Sequence, residues 1–147
     1  MGPELLLSAE AARAVVGGRR SRVGIDVVQV SRIAESAARF GERFAQRLCT
    51  AQERADISAE PARAHERLAE RFAAKEAALK AFDLCECGID WRDIEVQSRP
   101  GGWGLALHGR AAALSGSSAT DVSLLLRHGD GHVLAVVAAA PEPEPES

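Results

Sequence analysis

Residues 71–80 read RFAAKEAALK. Alanine and straight-chain side chains favour a helix, and no glycine, proline or β-branched residue interrupts the run. Pro61 suits a first helical turn and Gly88 marks the end region, so the spacing predicts one long helix from about residue 61 to Phe82. At about 100° per residue, Leu68, Phe72, Leu79 and Phe82 form a narrow apolar stripe. Lys75 falls inside that stripe, Glu76 lies at its edge, and Lys80 follows Glu76 one turn later. A buried charge is costly unless it meets an opposite charge or a metal. On periodicity alone, Lys75 snorkels outward and Glu76–Lys80 is a surface pair worth roughly a few tenths of a kcal/mol. The alternative is that these charges face another charged group brought in by the fold.

Upstream, RVGIDVVQV alternates as a strand, with Val23, Ile25 and Val27 on one face and Gly24, Asp26 and Val28 on the other. From Ser31 the period becomes helical through Ile33, Ala37 and Phe40, then Phe44 and Leu48 beyond Gly41. Thr50-Ala51-Gln52-Glu53 is a capping-box pattern, so a further helix starts at Ala51. Downstream, residues 93–97, 103–107, 122–127 and 133–139 read as short strands, with a short helix at 109–114. RPGG, SGSSAT and HGDG supply turns. One strand, then helices, then a run of strands predicts an α+β fold, an antiparallel sheet packed against the long central helix in a single domain. Residues 22–140 carry that domain. Residues 1–21 are an N-terminal extension in which Ser8 caps a short helix over 8–16. Residues 141–147, PEPEPES from Pro141, form a Pro/Glu tail expected to be disordered.

Composition excludes several classes. The chain has 147 residues, 46% of them hydrophobic, enough for one real core. A formal charge of −3 provides no basic field for nucleic acid, and 4% aromatic content provides no stacking platform for single strands. Cys49, Cys85 and Cys87 are an odd number, and C-E-C has too few ligands for structural zinc, so reduced thiols in a cytoplasmic protein are expected. The N-terminus is acidic where a secretory leader is basic, and its apolar run is broken by Ser8 and Glu10. Position 6 lacks the Ser or Thr of a myristoylation signal, and no stretch reaches the length of a membrane span.

Asp26 stands in an otherwise apolar strand, either as an edge aspartate facing water or as a partner for the long helix. In the second reading Asp26 and Glu76 make a two-carboxylate Mg²⁺ site. Magnesium uses one or two protein carboxylates, keeps waters, and takes its other ligands from substrate phosphates. Nearby lysines would then offset phosphate charge.

GIDVVQVSRI followed by RFAAKEAALKA resembles the holo-acyl-carrier-protein synthase group of 4'-phosphopantetheinyl transferases. The pattern is a G-[IL]-D strand, an L-T-x-x-E segment (here Leu48-Cys49-Thr50-Ala51-Gln52-Glu53, one residue longer) and the R-[FW]-A-A-K-E helix. It covers roughly residues 22–139. The resemblance implies the 4'-phosphopantetheinyl transferase fold and transfer of phosphopantetheine from coenzyme A to a serine of an apo acyl carrier protein, or of the carrier domain of a polyketide or peptide synthase. It implies Mg²⁺ on Asp26 and Glu76, Lys80 on the transferred phosphate or leaving group, and Lys75 beside the coenzyme. It further implies Arg32 against the acidic recognition helix of the carrier, and a homotrimer with sites between subunits. Arg39, Arg43 and Arg47 extend the basic cluster, although a solvated helix face is their simpler reading. Glu76 is the nearest base for the serine proton.

The chain also departs from the pattern. Where the group carries S-x-S-H, this chain has Ser123-Leu124-Leu125-Leu126-Arg127-His128-Gly129-Asp130. If His128 takes the histidine's place, as a catalytic and coenzyme-binding residue, Arg127 replaces a serine and can bind a coenzyme phosphate. Asp130 can substitute for an acidic residue by a one-residue shift; alternatively this wall is altered and His128 is a polar turn residue. Gly101-Gly102-Trp103 puts tryptophan where proline is usual. Gly101 and Gly102 still allow close backbone approach to coenzyme, and Trp103 either stacks on adenine or covers the core. His65, His108 and His132 match nothing and read as structural. Two rivals to the transferase remain: a non-catalytic relative that binds coenzyme A or a carrier, and a Mg²⁺-dependent hydrolase of another pyrophosphate.

Overall fold

The computed structural model describes residues 22–116 and 122–139. The extension over 1–21, with its helix at 8–16, and the 141–147 tail lie outside the described residues. Strand β1 (Arg22–Gln29) leads into α1 (Val30–Phe40), α2 (Glu42–Leu48) and α3 (Ala51–Ser58). A 3-10 turn at Pro61–Arg63 opens the long α4 (Ala64–Ala81). Then follow a 3-10 turn at Trp91–Asp93, β2 (Ile94–Arg99), β3 (Gly102–Leu107), α5 (Gly109–Ser115), β4 (Val122–Gly129) and β5 (His132–Ala139). The strands form one antiparallel sheet in the order β1-β5-β4-β3-β2. Among the described residues no helix is long and apolar enough to cross a membrane.

Local signals set the ends of several elements. Gly41 stops α1 with φ +60, a conformation glycine adopts without steric cost. Thr50 and Glu53 close both arms of the capping box: the Glu53 N–H donates to Thr50 Oγ1 at 3.2 Å, and the Thr50 N–H donates to Glu53 Oε1 at 3.0 Å. At the β4–β5 hairpin Asp130 and Gly131 both have positive φ, the pattern of a two-residue type I′ turn. Asp130 is thereby used as a turn residue.

α4 lies across the inner face of β1 and β5. Its contact is wider than the predicted stripe. Ala69, Ala73, Ala74, Ala77 and Ala78 are fully buried, whereas Phe72 and Leu79 are only half-buried. Small side chains let the strand approach so closely that a Cβ on Gly24 would overlap the Ala77 carbonyl oxygen. Gly24 and Val28 face this helix, as the alternation required, and carry Asp26 on the same side. The opposite side of β1 is apolar and open: Ile25 is 41% and Val27 49% exposed. Their β5 partners Val136 and Leu134 lie on the same side of the sheet but are buried, with the half-buried Leu125 of β4 next to Val136.

Candidate active site

β1 and α4 bring three of the expected residues together. Lys80 Nζ donates to Asp26 Oδ1 at 3.1 Å and to the Ile25 carbonyl at 3.1 Å. The pair of Lys80 is therefore Asp26 rather than Glu76, because the strand crosses the helix closer than the helix's own next turn. Burial pushes the Glu76 carboxyl above its ordinary range, repulsion from Asp26 adds to this, and Lys80 opposes it. Asp26 and Glu76 open into a cleft of about 600 Å³ whose walls include Gln29, Arg32, Phe72 and His132. Arg32 stands exposed near the start of α1.

Two crowded carboxylates facing a cleft suit a hard divalent cation. No cluster of three or more His, Cys, Asp or Glu ligands occurs among the described residues. That donor set suits magnesium, which leaves most of its positions to water and phosphate. It does not suit zinc, which usually takes three or four protein ligands.

Lys75 is a correction on both counts. It neither snorkels nor reaches a ligand: its side chain is fully buried and pairs with the equally buried Glu53 at 2.7 Å. Its ammonium also donates to the carbonyl oxygens of Leu48 and Trp91. With three acceptors taken and no exposure, Lys75 has no proton left to offer a coenzyme. Glu53 is the residue that sequence reasoning missed. Its capping-box signature was legible, but its ion pair spans 22 residues and needed the tertiary fold.

The other expected residues line two further clefts. His128 shares one of about 350 Å³ with Arg63, Glu66, Asp130 and His132, and its Nε2 lies 3.7 Å from the buried Glu70 carboxylate. His128 is thus not a wall of the Asp26–Glu76 cleft within one chain; His132, read as structural, borders both. Gly101, Gly102 and Arg127 line a third cleft of about 510 Å³ with the β4 backbone. Strands β5 and β4 lie between that hairpin's β3 and the Asp26 strand. Trp103 packs against the core with the guanidinium carbons of Arg71 and Arg67 at 5.2 and 5.7 Å from its ring centre. Covering the core is its role within the chain.

An apolar groove of about 430 Å³ adjoins the carboxylate cleft, sharing Phe44 and Phe72 with it. Leu48 and Trp91 complete its floor, and Arg43 and Arg47 add positive charge. Trp91 stacks on Phe72 with ring centres 5.5 Å apart.

A conserved-family model described as "ACPS: 4'-phosphopantetheinyl transferase superfamily" matches residues 22–137. The holo-[acyl-carrier-protein] synthase of Koribacter versatilis is 42% identical over 117 residues, covering 78% of this chain and 93% of that protein. The crystal structure of holo-[acyl-carrier-protein] synthase from Neisseria meningitidis superposes with a TM-score of 0.67 at 30% identity, covering 81% of this chain and 97% of that one. The ACPS–CoA complex of Chronobacterium ammoniagenes superposes with a TM-score of 0.70 at 28% identity, covering 85% of this chain and all of that one. The chain belongs to the 4'-phosphopantetheinyl transferase superfamily and is an enzyme of the holo-[acyl-carrier-protein] synthase type.

Proposed function

We propose that the chain transfers the 4'-phosphopantetheine group from coenzyme A to a serine of an apo acyl carrier protein, in a Mg²⁺-dependent reaction that releases 3',5'-ADP. The observation that carries this reading is the Asp26–Lys80 contact beside Glu76 at the mouth of a cleft large enough for a pyrophosphate. The relatives' names and the coenzyme complex of the Chronobacterium ammoniagenes protein support the same substrates.

Asp26 and Glu76 would hold the metal, which would supply neutralisation of pyrophosphate charge and stabilisation of the leaving phosphate. Lys80, paired with Asp26, offsets charge on the transferred phosphoryl group. The serine Oγ forms a bond to the phosphorus that carries the pantetheine arm, and the bridging P–O bond to 3',5'-ADP breaks. Glu76, the nearest carboxylate on the long helix, takes the serine proton. Arg32, exposed on the same cleft, meets the acidic carrier. The neighbouring groove takes apolar side chains of that carrier, with Arg43 and Arg47 providing complementary charge.

Gly101, Gly102, Arg127 and His128 contribute to coenzyme binding from a neighbouring subunit of a homotrimer. The exposed Ile25 and Val27 on the outer side of β1 support such an assembly, because neighbouring exposed apolar side chains of this kind suit an interaction surface. The cysteines, all free among the described residues, suit the reducing cytoplasm. The test is product analysis: reactions with coenzyme A and apo carrier, with Mg²⁺ or with chelator, should yield 3',5'-ADP in step with modified carrier only when Mg²⁺ is present. Release of 3',5'-ADP without carrier modification would instead favour the hydrolase reading.

A further inference from the structure

We infer that the buried Lys75–Glu53 pair is a positioning device for the carrier-docking groove. Two of the ammonium's three acceptors are the carbonyl oxygens of Leu48 and Trp91, and both residues line that groove. Leu48 ends α2 and Trp91 opens the 3-10 turn before β2, so neither is placed by the helix that carries Lys75. One side chain from α4 ties both walls together from behind. The third acceptor, Glu53, fixes the tie at its other end. Its Oε1 also accepts the Thr50 N–H, and its Oε2 accepts the Val96 N–H at 3.2 Å. Thr50 Oγ1 in turn donates to Glu95 Oε2 at 2.7 Å on β2. The network thus spans α2, α3, α4 and β2 and meets the groove only through Leu48 and Trp91.

An apolar core would hold these elements as well, and replacing a buried ion pair with uncharged groups is often neutral for stability. Directional bonds do what apolar packing does not: they set where two specific carbonyls stand, and with them the Trp91 ring that stacks on Phe72. Lys75 and Glu53 touch no substrate in this account, and they act through Leu48 and Trp91. The inference rests on the groove being the carrier site.

The test uses the charge-free pair Lys75→Met/Glu53→Gln in the full chain, with Trp103→Phe in every sample so that tryptophan emission reports Trp91 alone. The expected result is a folded protein with shifted Trp91 emission, a carrier KM raised roughly tenfold, the loss expected when an interface anchor moves, and an unchanged coenzyme A KM. A folded variant with unaltered emission and unaltered carrier KM overturns the inference. If the double variant does not fold, Lys75→Arg is measured instead. Its larger planar head keeps the charge but displaces Leu48 and Trp91, and the same two outcomes apply. A natural chain that modifies no carrier at all refutes the groove's assigned partner, a result separable from the failure of the positioning role.

Discussion

Lys80 Nζ sits 3.1 Å from Asp26 Oδ1, joining the last turn of the long helix to the edge strand across 54 residues of sequence. The contact is partly open, with the lysine side chain 47% and the aspartate 17% exposed. An ion pair in that setting contributes about 0–1 kcal/mol to stability. In the proposed mechanism its value is chemical: it holds a cation beside the carboxylates assigned to phosphoryl transfer. Lys80→Ala should therefore leave the melting temperature nearly unchanged and lower kcat by roughly 10²–10³-fold. Thermal melts and steady-state rates on one preparation check both halves.

Gly24 permits the approach that makes this contact. Adding one methyl group at Gly24 runs into the Ala77 carbonyl and the Ala81 amide, both backbone atoms that cannot rotate away. Gly24→Ala should cost about 1–3 kcal/mol and push β1 off α4. Activity should fall further than stability, because Asp26 travels with the strand while Glu76 and Lys80 stay on the helix. Urea unfolding compared with kcat decides this.

The outer face of β1 predicts the assembly. Val27→Glu puts a carboxylate at a site already 49% exposed in the single chain, so the isolated fold should tolerate it. A trimer that buries that face should not. Sedimentation should show a trimer for the natural sequence and a folded monomer for the variant, with activity lost in the variant.

Cys49 reports on the core from inside. Burial, reinforced by the Glu53 carboxylate, pushes its thiol up to about 12 from the usual 9.0, with Lys75 opposing. The folded state keeps this proton where the unfolded chain releases it. Its contribution to stability is therefore complete below pH 9.0 and lost as pH rises toward about 12. Near neutral pH, iodoacetamide should label Cys85 in the native protein and reach Cys49 only on unfolding. Peptide mapping of alkylated samples checks this.

Much of the fold was legible because its signals are local. The Thr50–Glu53 box and the HGDG turn each depend on a few neighbouring residues, and the structure uses both as expected. The long helix was legible in extent but not in orientation. A wheel weighted by Leu and Phe overlooks alanines, yet it is the alanine face that packs against β1 and β5. The stripe did place Lys75 on the apolar face, but offered no partner for a buried ammonium there. Its partner lies on a different helix, and nothing in the periodicity of α4 points to Glu53. The meeting of Asp26, Glu76 and Lys80 was read from charge in apolar surroundings, and the fold does bring them together. His128 and Arg127 were matched by position along the chain, and they line clefts apart from the carboxylates. Position along a strand does not say which subunit's site a residue completes.

The central claim is that this chain, with Arg127 and His128 where the pattern has S-x-S-H, still performs the transfer. The direct measurement is the intact mass of an apo acyl carrier protein after incubation with the chain, coenzyme A and Mg²⁺. The account predicts a single phosphopantetheine increment on the carrier, absent when Glu76→Gln replaces the natural chain. A carrier of unchanged mass, with coenzyme A bound to the protein, would contradict it and make the chain a non-catalytic binder.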